Sequence, residues 1–236
     1  MNLTQMGIAA ITFDLDDTLW PCAPVISAAE QVYYQWFVDK YPRIAEAHSV
    51  ETLRDMRREL LEAQPELVND VTEWRLRATR ALLLRYDAPV EHAANAFDVF
   101  IKARQKVEFY PEVLNGLQDL SFHYRLGSLT NGNADLQAIG VSHLFDTALY
   151  ATLELPAKPA PDMFLRAAEA LGVEPGRILH VGDNAHTDIT GARDAGCSTA
   201  WIRRGTETYP DNLPRADLEI TSLDDLIALA PTVPRR

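Results

Sequence analysis

Between Gly7 and Gly116 the chain contains no glycine. Across most of that stretch apolar residues recur at helical spacing: Val32, Trp36 and Phe37; Leu53, Met56 and Leu60; Trp74, Ala78 and Leu82; Phe97, Phe100 and Ile101. Each set forms an apolar stripe on one helix face. Breaks near Pro42, at Gln64-Pro65 and at Ala88-Pro89 divide the region into about four helices.

The flanks have a different texture. Gly7 to Phe13 is a short apolar run that stops at a cluster of aspartates, and so reads as a buried strand. After Tyr110-Pro111 helix and strand patterns alternate. Helices are predicted over 113–122, 161–171 and 186–195, and strands over 124–129, 146–150, 177–181 and 198–202. Alternation of this kind implies a mostly parallel α/β sheet. The N-terminal strand has no helix–strand partner nearby, so it should join the later sheet across the helical insert. The expected architecture is a Rossmann-like α/β core, residues 1–20 and 108–236, carrying an all-helical cap over 21–107. The tail from Ala230 is expected to be loose.

Composition narrows the function. With 22 Lys and Arg against 34 Asp and Glu, the formal net charge is −12, which argues against nucleic acid as a partner. Two cysteines, Cys22 and Cys197, cannot build a disulfide framework and suit a reducing, cytoplasmic setting. No apolar run approaches the roughly 18 residues of a membrane span, and the first residues carry no basic leader.

The chemistry gathers at the strand ends, where open α/β sheets bind their ligands. One strand ends on Asp14-Leu15-Asp16-Asp17-Thr18, another on Thr130-Asn131-Gly132-Asn133 and a third on Gly182-Asp183-Asn184, while Lys158 lies between Pro156 and Pro159 before a helix. Carboxylates converging on one sheet edge need a cation, and an oxygen-only donor set favours Mg²⁺. Asp14, Asp16 and Asp183 contribute −3, while Mg²⁺ and Lys158 contribute +3, so a phosphate can still enter. Thr130 and Lys158 would supply donors and charge for a phosphoryl group. The i, i+2 pair Asp14 and Asp16 lets one carboxylate attack phosphorus while the other reaches the leaving oxygen.

These four ordered motifs resemble those of the haloacid dehalogenase-like hydrolases, and the cap position resembles the helical-cap subclass. Val71-Thr72-Glu73-Trp74-Arg75 and Leu129-Thr130-Asn131-Gly132-Asn133 are similar to the flavin-pathway phosphatases of bacteria, which act on flavin mononucleotide or on a phosphorylated ribitylaminouracil. The resemblance implies Asp14 as nucleophile and Asp16 as general acid and then base. It implies Mg²⁺ held by Asp14, the Asp16 backbone carbonyl and Asp183. Thr130 and the Asn131 backbone would bind phosphoryl oxygens, Lys158 would offset their charge, and Asp188 would orient Lys158 or metal-bound waters. The expected substrate is a small phosphomonoester, with a flat heteroaromatic group stacking on cap aromatics such as Tyr33, Tyr34, Trp36, Phe37 and Trp74. Trp20 is expected to line the entrance.

Plainer roles compete at several positions. Asp17 suits a turn or cap, Arg75 and Arg77 solvated helix faces, and Tyr33, Trp36 and Trp74 the cap's own core. His180 lies inside an apolar strand and His186 at a helix start, so neither reads as a metal ligand. Among other activities, a metal-independent dehalogenase fits poorly with Asp16 and Asp183. A phosphomutase would share every core motif, and sugar phosphates are the alternative substrates to a flavin-type ring. A receiver domain would lack the helical insertion.

Overall fold

The computed structural model describes residues 2–231. The expectation for the tail beyond residue 231 lies outside the described residues.

Six parallel strands form one sheet in the order β3-β2-β1-β4-β5-β6: β1 Ala10–Phe13, β2 Arg125–Thr130, β3 Thr147–Tyr150, β4 Ile178–Gly182, β5 Ser198–Ile202 and β6 Leu218–Ile220. The N-terminal strand is central, with Phe13 in register with Ser128 on one side and Val181 on the other. Its two neighbours come from beyond the helical insertion, as the isolated first strand required.

Side chains of successive strand residues point to opposite faces, and the core divides accordingly. Ile11, Phe13, Leu179 and Val181 pack with α6 (Val113–Ser121) and α10 (Leu223–Ile227). Ala10, Leu129 and Ile178 pack with α8 (Asp162–Leu171) and α9 (Gly191–Asp194). The result is three layers, helix on sheet on helix. A short α7 (Leu136–Ile139), begun by Asp135 accepting from the Gln137 and Ala138 amides, lies between β2 and β3.

The glycine-free stretch forms α1 (Cys22–Lys40), α2 (Pro42–Ala47), α3 (Val50–Ala63), a 3-10 turn Pro65–Asn69, α4 (Val71–Arg85) and α5 (His92–Arg104). Ser49 and Asp70 cap α3 and α4 through the Thr52 and Glu73 amides, satisfying donors that a helix leaves open at its start. These helices bury their own apolar cluster, including Tyr33, Phe37, Leu53, Leu82, Leu83 and Phe100.

Two differences from the sequence reading have local causes. The stretch 186–195 opens as a π-helical turn, Ala185–Thr190, begun by Asn184, whose side-chain carbonyl accepts from the His186 and Thr187 amides. The strand β6 and helix α10 were missed because β6 is three residues long and half-buried, too brief for a period to register.

Candidate active site

In the sheet order 3-2-1-4-5-6 the crossovers leave β1 and β4 in opposite directions, opening a crevice at their carboxyl ends. Asp14 and Asp183 follow β1 and β4 directly, one on each side of that crevice. The Asp14 amide extends the ladder to the Val181 carbonyl at 2.9 Å, which fixes the backbone beneath its carboxylate.

Lys158 comes in from the loop before α8 and is buried. Its ammonium donates to Asp14 Oδ1, Asp188 Oδ1 and the Leu129 carbonyl, each at 2.7 Å, so all three of its donors are used. Asn131 positions this lysine through its side chain: Oδ1 accepts from the Lys158 amide and Nδ2 donates to the Lys158 carbonyl, both at 2.8 Å. Thr130 is buried at the end of β2, its hydroxyl accepting from the Gly132 amide at 2.9 Å.

Asp188 reaches the cluster because the π-helical turn brings it over Gly182. A Cβ on Gly182 would lie 2.3 Å from Asp188 Cγ, so only glycine fits there. Asp188 Oδ2 also accepts from the Asn184 amide at 3.0 Å. Beneath it, His180 Nε2 sits 3.4 Å from Asp188 Oδ1, and the other ring nitrogen pairs with Thr12 Oγ1 at 2.9 Å. Asp183 is held by Thr18, whose hydroxyl donates to Oδ1 and accepts from the Asp183 amide.

The electrostatics follow from burial. Desolvation pushes the Asp14 carboxyl well above its ordinary range, with Asp188 and Asp183 adding to the effect and Lys158 opposing it. Burial, then the charges of Asp188 and Asp17, push Asp183 up to about 7. Burial would raise Asp188 too, but Lys158 and His180 outweigh it and hold that carboxyl well below the usual range. Burial disfavours the Lys158 ammonium, yet Asp14 and Asp188 together hold its pKa above normal. Burial keeps His180 neutral.

One oxygen from each of Asp14, Asp183 and Asp188 lies within 4.8 Å of the others. Three carboxylates gather near one ammonium, a net of −2, and their mutual repulsion adds to the burial that raises the Asp14 and Asp183 pKa values. An all-oxygen donor set with this charge fits a hard divalent cation.

The carboxylate of Asp16 is turned elsewhere. Oδ1 accepts from Trp20 Nε1 at 2.8 Å and Oδ2 from Arg104 Nη2 at 2.5 Å. This corrects the expectation for Trp20: it is fully buried, its ring edge-on to Phe109, and its one donor is spent on Asp16, so it does not line an entrance. The expectation for Arg75 is also corrected. It is buried, donates to Glu30 Oε1 at 2.8 Å and lies 3.4 Å over the Phe100 ring. Asp17 is a turn residue as expected, with φ +58° and its carboxylate accepting from the Cys22 amide at the start of α1. Of the cap aromatics expected to meet substrate, Tyr33 and Phe37 are core and Tyr34 and Trp36 pack against it. Trp74 alone of that set lines a cavity together with Asp16.

Sequence reasoning missed Arg104, Glu30 and Arg57, the last two buried with the misplaced Arg75. A signal was there. Arg104 continues the Phe97–Phe100–Ile101 stripe, and Glu30 precedes Tyr33 and Phe37 at the same helical spacing, so each charge falls on an apolar face.

A parallel sheet with carboxylates and a saturated lysine gathered at its crossover crevice is an α/β fold with its site at the strand carboxyl ends. The chain belongs to the haloacid dehalogenase-like hydrolase family, whose model matches residues 8–196. It is 36% identical to the 5-amino-6-(5-phospho-D-ribitylamino)uracil phosphatase YigB of Escherichia coli K12, covering 94% of this chain and 96% of that one. It is 30% identical to a glyceraldehyde 3-phosphate phosphatase of Methanopyrus kandleri, covering 92% of each. Among solved structures, a 2-haloacid dehalogenase from Pseudomonas syringae pv. Tomato DC3000 superposes with a TM-score of 0.86 at 34% identity, covering 94% of this chain and 97% of that one. Family and curated relatives together make the chain an enzyme of the phosphatase kind. Among the described residues no helix is long and apolar enough to cross a membrane.

Proposed function

We propose that the chain is a Mg²⁺-dependent phosphomonoesterase of the riboflavin pathway, acting on a phosphorylated ribitylaminouracil or on flavin mononucleotide, in the cytoplasm. The observation that carries the reading is the excess of carboxylate around Lys158 at the β1–β4 crevice, joined to the similarity to YigB along nearly the whole chain.

In this reading Asp14 attacks phosphorus and becomes an aspartyl-phosphate. Asp16 protonates the leaving oxygen and then takes a proton from the water that hydrolyses the intermediate. Trp20 and Arg104 fix the orientation of its carboxylate. Thr130 and the Asn131 backbone bind phosphoryl oxygens, while the Asn131 side chain fixes Lys158, which neutralises charge on Asp14 and on the transferring group. Asp188 orients Lys158. Asp14, Asp183 and the Asp16 backbone carbonyl would hold Mg²⁺, which supplies charge for the phosphoryl oxygens. Residues 1–20 and 108–236 serve as catalytic core and 21–107 as the cap that chooses substrates.

The dehalogenase name of the Pseudomonas structure points to a second activity, but the second carboxylate Asp16, suited to proton transfer at a leaving oxygen, favours the phosphatase. Phosphate release from flavin mononucleotide, the ribitylaminouracil phosphate and glucose 6-phosphate, with EDTA and with Mg²⁺, tests the proposal. Release should require Mg²⁺, and the ring-bearing substrates should exceed glucose 6-phosphate in kcat/KM by at least about tenfold. Full activity in EDTA sinks the mechanism, and equal use of glucose 6-phosphate sinks the substrate.

A further inference from the structure

Arg204 lies just beyond the end of β5, outside the four motifs. Its side chain is only 9% exposed, and the guanidinium is engaged on its edges and on its face. Nε and Nη2 both donate to the Thr18 carbonyl, at 2.9 and 2.8 Å. Nη1 donates to Glu112 Oε1 at 2.5 Å, and the guanidinium carbon lies 4.2 Å over the Tyr110 ring. Thr18 stands where the chain leaves the sheet for the helical insertion, and Tyr110 and Glu112 stand where it returns. One side chain therefore holds both crossings. Two planar donors on a single carbonyl make a fixed fork, which a flexible ammonium could not reproduce.

What the fork holds matters more. Thr18 is wholly buried and joins the two loops that follow β1 and β4. Its hydroxyl donates to Asp183 Oδ1 at 3.2 Å and accepts from the Asp183 amide at 3.1 Å. Its own amide donates to the Leu15 carbonyl at 3.3 Å, closing the turn after Asp14. A second tie comes from the same strand end, where Trp201 Nε1 donates to the Asp183 carbonyl at 2.5 Å. The end of β5 thus grips the Asp183 loop through Trp201 and the Asp14–Asp16 loop through Arg204, and Thr18 pins the two loops together.

We propose that Arg204 is a positioning residue for the cation site: by fixing the Thr18 carbonyl it keeps Asp14, the Asp16 carbonyl and Asp183 at a constant separation and so raises the affinity for Mg²⁺. The inference rests on the reading of those three groups as the Mg²⁺ ligands. Mg²⁺ demands near-ideal octahedral geometry, so a small drift between two ligand-bearing loops is felt in binding. Groups that orient metal ligands from behind typically contribute about 10–100-fold in affinity.

Isothermal titration calorimetry with Mg²⁺ alone compares the wild type with Arg204→Lys and Glu112→Gln. Lysine keeps the charge beside Glu112 and loses the fork, whereas Glu112→Gln loses the charge pair and leaves the fork. The Mg²⁺ Kd should rise at least about tenfold in Arg204→Lys. In Glu112→Gln it should stay at the wild-type value, with the loss appearing in Tm only. Turnover of Arg204→Lys should recover as Mg²⁺ is raised to saturation, a split that general loosening of the fold would not give. A smaller change in Kd, or an equal change in both variants, overturns the proposal. Should Arg204→Lys fail to fold, the wild type decides. Coupling between fork and metal is reciprocal, so bound Mg²⁺ must tighten the fork. Exchange of the Arg204 Nε proton, followed by NMR, should slow when Mg²⁺ is added, and unchanged exchange overturns the proposal. A wild type that takes up no Mg²⁺ refutes the metal reading and this inference with it. A wild type that binds Mg²⁺ no more tightly than Arg204→Lys leaves the metal reading standing and removes Arg204 from it.

Discussion

The sheet edge and the helical insertion both bury charged side chains, with opposite balances. At the sheet edge Asp14, Asp183 and Asp188 lie close together with one ammonium paired to two of them; among the helices Glu30 serves both Arg57 and Arg75. An excess of buried carboxylate calls for a cation, and an excess of guanidinium for an anion or a carbonyl. Asp16 stands between the two, its carboxylate joined to Arg104 at the end of α5 and its backbone in the loop after β1. The contrast divides the molecule between a carboxylate-rich cluster at the sheet edge and a guanidinium-rich one among the helices.

The strongest way to break that division is at the nucleophile. Asp14→Asn should lower turnover by at least about 10⁴-fold, since replacing a residue that acts as part of a unit removes nearly all its catalysis. No phosphoenzyme should be detectable by mass spectrometry. A labelled Asp14→Asn protein would move the chemistry to another carboxylate.

Next comes the residue the two regions share. Asp16→Asn should slow turnover by roughly 10²–10⁴-fold, the usual range for a general acid–base. Substrates with good leaving groups should suffer least in the first step, because they need little protonation. Stopped-flow comparison of a nitrophenyl with an alkyl phosphate checks this; equal losses would confine Asp16 to the hydrolysis of the intermediate.

How much of this could be read from the sequence depended on where each group sits along the chain. Asp14, Thr130 and Asp183 stand at or directly after the ends of apolar runs, so strand period and strand end locate them together. Lys158 lies in a loop before a helix, where its place beside the charged strand ends marked it, whereas Asp188 lies in a π-helical turn and only the family resemblance picked it out. Arg75 was misread because helix periodicity marks a charge as solvated unless its partner is known, and its partner Glu30 lies 45 residues away on α1. Trp20 was misread for a related reason: adjacency to the catalytic loop says nothing about facing inward, and its indole turns back to Asp16.

A smaller pair of substitutions sharpens the contrast through stability. Lys158→Met strands two carboxylates, Asp14 and Asp188, and Glu30→Gln strands two guanidinium groups. Removing one partner of a buried pair costs about 3–5 kcal/mol, or roughly 10 °C in Tm for a chain of this size. Added Mg²⁺ should restore part of the loss in Lys158→Met by binding the folded form, and none of it in Glu30→Gln. Equal rescue of both would mean the clusters are not energetically separate.

The smallest effect is a pH dependence confined to the core. The Asp183 carboxyl, near 3.8 when solvated, is pushed to about 7 by burial. Between those values the folded metal-free protein keeps a proton that the unfolded chain has lost, so stability falls as pH rises through that window. Asp14 acts in the same sense. His180 works the other way: burial lowers its pKa, so its contribution is lost as pH falls through about 6.5, where the unfolded imidazole charges. Asp188, held low by Lys158 and His180 against its burial, contributes stability that is lost only under more acid conditions. A melting series in EDTA alone would therefore mix opposing slopes. Mg²⁺ favours ionised carboxylates and displaces their protons, so it should cancel the Asp14 and Asp183 contributions while leaving that of His180. The gap in Tm between Mg²⁺ and EDTA samples should then widen from about pH 4.5 to about 7.5, the span over which the metal must displace those protons, and a constant gap would show that these two carboxyls are ionised throughout.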